Sequence, residues 1–180
     1  MLRFKMDEGK ALAAFLYVLR DLAKVSPHTV DMHKVFKILY FADKEHLLRF
    51  GRPVIGDVYI ALKHGPVPSR LYDIVKLVRD ESNAEYMKYF VCYGAHFLKP
   101  VQAPDVEELS ESDIECLDKS ITEHRLLTFK QLTDKSHDEA YHLAQKDDRI
   151  SFKAIAKAAG ANSALLEYIH HSMEAQSLCH

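Results

Sequence analysis

Apolar positions along the chain follow two rhythms, and the helical one dominates. Between residues 8 and 25, Ala11, Phe15, Val18 and Leu22 form one helical stripe, and Leu12, Leu16, Leu19 and Ala23 form a second beside it. A helix apolar over most of its circumference belongs at the centre of a fold or at an interface. Ser26-Pro27 ends it, because a residue before proline is pushed away from helical angles. A second helix is predicted from about Asp31 to Phe50, where Phe36, Leu39, Tyr40, Leu47 and Phe50 recur at helical spacing until Gly51 stops them. Asp43 falls inside that stripe. A carboxylate there must be paired or hydrogen-bonded if buried, since an isolated buried charge costs several kcal/mol.

The rhythm then changes to a period of two. Val58, Ile60 and Leu62 alternate with Tyr59, Ala61 and Lys63, which predicts a half-buried strand with Tyr59 and Lys63 on its outer face. Gly65-Pro66-Val67-Pro68 reads as a break. Leu71, Ile74, Val75 and Val78 predict a third helix beginning near Pro68. Residues 88 to 93 and 96 to 101 are β-branched or aromatic around Gly94-Ala95, and are expected to form a hairpin that joins the first strand. After the acidic connection from Gln102 to Leu109 the pattern is helical again. Ser110-x-x-Asp113 and Thr128-x-x-Gln131 resemble capping boxes, and helices are predicted at 152–159 and 163–176 around Gly160.

The fold class is therefore mainly α (α+β): a helical domain with a small antiparallel sheet of about three strands. One domain is expected over 1–180, with a helix, strand, helix and hairpin in the front half (about 1–101) and a helical tail (about 110–178). The 180 residues are enough for a core that needs no staple.

Composition narrows the function more than the fold. With 48% apolar and 28% charged residues the chain is of ordinary globular type, and 24 basic against 26 acidic residues give no general attraction to nucleic acid or anionic lipid. No signal peptide or membrane span is legible. Three widely spaced cysteines, Cys92, Cys116 and Cys179, build neither a disulfide framework nor a zinc knuckle. A cytoplasmic protein is expected.

Eleven histidines raise the question of a metal, and their spacing answers it. His28 with His33, and His137 with His142, lie five apart and about 140° apart around a helix, so neither pair presents both rings to one ion. His170, His171, Cys179 and His180 crowd toward the last residues, a poor place for a cage. No metal, cofactor or catalytic residue is assigned: there is no G-x-S-x-G, Walker A or G-x-G-x-x-G element. At 152–169, Ile155, Ala156, Gly160, Leu166 and Ile169 have helix-turn-helix spacing. The second helix offers Asn162, Ser163, Glu167 and Tyr168 but no lysine or arginine, so a plain helical hairpin is preferred and nucleic acid is not the expected partner.

The segment Lys37-Ile-Leu-Tyr-Phe-Ala-Asp43, followed by Gly51-Arg-Pro-Val-Ile-Gly-Asp57 and Ala61-Leu-Lys-His-Gly-Pro-Val-Pro68, resembles the SocA-like Panacea antitoxin domain. Ser136-His137-Asp138-Glu139-Ala140-Tyr141 is similar to a downstream feature of that family, with Tyr141 where the family tends to carry tryptophan. The resemblance implies a bacterial or phage antitoxin that neutralises a cognate toxin by direct protein binding, with presentation of the toxin to a protease as one form of that role. A DNA-binding regulator using 152–169 is the alternative.

The residues of the segment also have structural work. Gly51 ends a helix, Pro53 stiffens the connection, Gly56 turns the chain into the strand at Asp57, and Pro66 and Pro68 fix two φ angles about Gly65. Asp43 is expected to accept hydrogen bonds from amides of the Gly65 loop. The toxin-binding face is placed at Tyr59, Lys63, His64, Pro66 and Arg70, where strand and loop offer aromatic, basic and proline groups.

Overall fold

A computed structural model describes residues 2–178. The first helix, α1 (Glu8–Ala23), starts where the Asp7 side chain accepts from the Lys10 amide. Ala11, Phe15, Val18 and Leu19 are all fully buried, as expected of a helix apolar nearly all round. A two-residue strand, β1 (Val30–Asp31), leads into α2 (Met32–Phe50), whose cap is Asp31 accepting from His33 N. Gly51 closes α2 in the left-handed conformation at φ 68°, and a β-carbon there would run into the Tyr168 ring.

The chain continues through β2 (Tyr59–Leu62), β3 (Gly65–Pro68), α3 (Ser69–Arg79), the single turn α4 (Ala84–Met87), β4 (Phe90–Tyr93) and β5 (Phe97–Pro100). The tail holds a short 3-10 turn (Val106–Glu108), α5 (Glu111–His124), α6 (Phe129–Ser136), α7 (Glu139–Leu143), β6 (Arg149–Ile150), α8 (Phe152–Ala158) and α9 (Ser163–Leu178). Both predicted capping boxes form, at Ser110 with Asp113 and at Thr128 with Gln131.

α2 is the axis of the molecule. α1, α5, α6 and α8 pack around it, and Val35, Phe36, Ile38, Leu39 and Leu47 are fully buried, each contributing about 1.5–3 kcal/mol of burial free energy. One apolar core runs from Phe4 to Met173, so the front half and the tail share it.

The strands depart from expectation in two ways. They make two antiparallel three-stranded sheets, ordered β1-β5-β4 and β3-β2-β6, where one was predicted. The β4-β5 hairpin pairs with β1, Val30 opposite Leu98, rather than with β2, whose second neighbour is β6. Gly65 to Pro68 is itself a strand, hairpinned to β2 through the two-residue turn Lys63-His64, with Leu62 opposite Gly65 and Tyr59 opposite Pro68. Two prolines argued against a strand, but β3 lies at a sheet edge, where a missing N–H leaves no ladder bond unmade. The phase of β2 is also the reverse of the predicted one: Tyr59 and Ala61 point into the core, and Ile60 and Leu62 are only half-buried.

Candidate functional site

The motif residues meet at one hub between α2, the β2-β3 hairpin and the end of α6. Asp43, wholly buried, accepts from Val54 N (2.7 Å) and Ile55 N (3.0 Å) through Oδ1 and from the Tyr59 hydroxyl (3.1 Å) through Oδ2. The amides therefore come from the Gly51–Asp57 connection and not from the Gly65 loop. Burial pushes the Asp43 carboxyl up to about 7 against the pull of these donors. Burial together with the adjacent Asp43 carboxylate holds the Tyr59 phenol far above its usual range. Pro53 and Gly56 are buried beside this connection, and Asp57 accepts from Arg70 N and Leu71 N, completing the start of α3, which Pro68 cannot cap with a side chain.

Lys37 lies six residues earlier on α2, 2% exposed, with Nζ donating to the Pro66 carbonyl at 3.1 Å. Gly65, at φ 104°, makes room for it: a β-carbon there would stand 2.8 Å from Lys37 Cε and against Ser136 Oγ. Burial, resisted only by the more distant Asp31 carboxylate, lowers the Lys37 ammonium to about 7. The downstream segment locks onto the same place. Asp138 accepts from the Tyr40 hydroxyl (2.9 Å) and Lys44 Nζ (2.6 Å), and Tyr141 donates its hydroxyl to the Leu62 carbonyl at 2.9 Å with its ring stacked on His137.

A second buried network joins α1 to the start of α5. Asp113 is bound by Lys10 at 2.7 Å, Arg52 at 3.0 Å and the Ser110 amide and hydroxyl. Burial raises its carboxyl, but the donors of Lys10 and Ser110 outweigh that and leave it below the ordinary value. His46 touches the same carboxylate at 3.3 Å and passes its other ring nitrogen to the Arg52 carbonyl.

The five residues assigned to partner binding do not form one face. Tyr59 is a fully buried core residue and Pro66 is buried beneath Lys37, because the strand's inward phase and the edge hairpin turn both toward α2. Lys63 and His64 are exposed at the hairpin turn and line a cavity of about 300 Å³ with His33, Phe36, Val67 and Tyr72. Arg70 is exposed elsewhere, pairing with Glu8 at 2.9 Å and lining a different cavity.

Around His64 the structure gathers rings that sequence spacing did not connect. His64 lies 5.3 Å from Phe129 and 6.4 Å from His33, and His33 lies 5.8 Å from Phe129 and 6.5 Å from His96, measured between ring centres. Phe129 stands next to Thr128, the residue whose capping box was legible, and that was the one available signal. Lys37 was legible too, as a charge set among Phe36, Ile38 and Leu39.

The Cys92 and Cys116 thiols are pushed up to about 11 by burial, far from a reactive thiolate. Among the described residues no three His, Cys, Asp or Glu side chains gather as metal ligands would, and no helix is long and apolar enough to cross a membrane. Cys179 and His180, part of the histidine crowding noted above, lie outside the described residues. Asn162, just before α9, and Ser163, Glu167 and Tyr168 within it stand near its start, and α9 holds neither lysine nor arginine.

A family model described as antitoxin SocA-like, Panacea domain, matches residues 35–142, which contain Lys37, Asp43, the β2-β3 hairpin and the Ser136–Tyr141 segment. The chain belongs to this antitoxin-like family. No curated protein and no solved structure matches it.

Proposed function

We propose that this protein is an antitoxin that neutralises a toxin protein by binding it, without catalysis. Membership of the family over residues 35–142 carries the reading. The hub supports it in physical terms: Asp43, Asp57 and Asp138 spend their hydrogen bonds on the chain's own backbone and side chains, as scaffold residues do. The cytoplasm is the expected place of action, and delivery of the bound toxin to a protease is a finer form of the same role.

The face we assign to the toxin is the hairpin turn with the rings beside it: Lys63, His64, His33, His96 and Phe129. Aromatic and basic groups on a rigid two-residue turn suit an interface whose anchors lose little freedom on binding. Tyr59 and Pro66 are withdrawn from that face. Co-expression with the product of the neighbouring gene is the test. Growth should be restored by the natural chain and lost with Lys63→Glu combined with His64→Glu, while the melting temperature of the variant stays within about 2 °C. No rescue by the natural chain would sink the reading, and full rescue by the double variant would sink the chosen face.

A further inference from the structure

Beneath that face lies a cavity of about 350 Å³ that Lys37 helps to line. Its walls are largely apolar: Leu22, Val30 and Leu132 inside, with Leu126 and Phe129 at the rim. Lys37 is the only one of its charged residues that is buried, and no carboxylate pairs with it among the described residues. His33 and His137 both feel its charge, and each holds a buried ring nitrogen without a hydrogen-bond partner, Nδ1 of His33 and Nε2 of His137. Its one hydrogen bond, to the Pro66 carbonyl, leaves the Lys37 ammonium without a counter-charge. A methionine would fill the same space, and an unpaired buried ammonium costs several kcal/mol after relaxation. Asp21, Asp31, Lys34 and Arg125 also line the cavity, all of them less buried than Lys37. A largely apolar chamber with a few polar groups is typical of small-molecule sites, and the volume lies at the lower end of their range.

We propose that this cavity binds a small amphiphilic monocarboxylate, its carboxylate on the Lys37 ammonium and its apolar body along Leu22, Val30, Leu132 and Phe129. The anion supplies the missing counter-charge, and the unpartnered His33 ring nitrogen can donate to it when protonated there. Because burial leaves the lysine near 7, binding of an anion draws a proton onto it. The titratable groups coupled to Lys37 are Asp31 and His33 at the start of α2 and His137 after α6, and Asp21, Lys34 and Arg125 line the same cavity; burial holds both His33 and His137 below the ordinary histidine value.

Calorimetric titration of the purified full chain with hexanoate, octanoate and phenylacetate tests this. At least one acid is expected to bind with a Kd below about 1 mM. Affinity should weaken by up to about tenfold per pH unit above 7, with proton uptake visible as a dependence on buffer ionisation heat. Lys37→Met should abolish binding while the chain stays folded, and Thr133→Phe, which narrows the cavity without touching the lysine, should weaken it at least about tenfold. No binding of any of the three acids would overturn the proposal. So would binding that survives Lys37→Met, which would show that the lysine does not hold the carboxylate.

Discussion

Asp43 shows how far a single residue can be read from its neighbours. Its place on an apolar helical stripe forecast a buried, backbone-bonded carboxylate, and that is what it is. The particular amides, those of Val54 and Ile55, follow from how the Gly51–Asp57 connection folds back over α2, which no local pattern encodes. Asp43→Ala would leave two buried N–H groups and the Tyr59 hydroxyl unpaired, so a loss of roughly 3–5 kcal/mol is expected in denaturant unfolding. A loss below about 1 kcal/mol would show that water replaces the carboxylate. Lys37 gives a pH signature. Between about 7 and the ordinary lysine value, the unfolded chain holds a proton that the folded chain has released, so stability rises with pH across that window. Lys37→Met should remove the rise and increase stability at pH 7. Unfolding curves at a series of pH values that are the same for both chains would contradict the burial argument.

At the scale of elements, helices were legible and strands were less so. Caps and periodicity located α1, α2, α3, α5, α6, α8 and α9 because those signals lie within one element. The one-turn α4 and five-residue α7 are too short to show a period, and β1 and β6 are two residues each. The β2-β3 hairpin was hidden for a different reason. Period-two alternation says that two faces differ but not which face meets the core, and Tyr59, with its polar hydroxyl, read as the outer member until Asp43 was found to receive it. Gly65 is the residue on which this hairpin depends. Gly65→Ala would strain a φ of 104° and drive a methyl group into Lys37 and Ser136, with an expected loss of about 2–4 kcal/mol; an unchanged melting temperature would mean that α2 and α6 can separate freely at this point.

At the scale of the whole molecule, the family segment and the downstream segment are about seventy residues apart in the chain yet meet around one carboxylate and one lysine. The contacts across that convergence are specific: Tyr40 and Lys44 on α2 donate to Asp138, and the Leu62 carbonyl in β2 accepts the Tyr141 hydroxyl. The candidate binding face was only partly legible, because it is assembled from α2, the hairpin turn, β5's approach and α6. Sequence supplied Lys63 and His64, and folding added His33, His96 and Phe129 while removing Tyr59 and Pro66 and leaving Arg70 in a separate cavity.

The central claim, that the chain acts by binding a toxin protein, is tested most directly by the affinity of the purified protein for the product of its neighbouring gene, measured by calorimetry. The account predicts a saturable complex with a Kd of about 1 µM or tighter. No heat of binding at concentrations of about 100 µM, with both proteins folded, would contradict it.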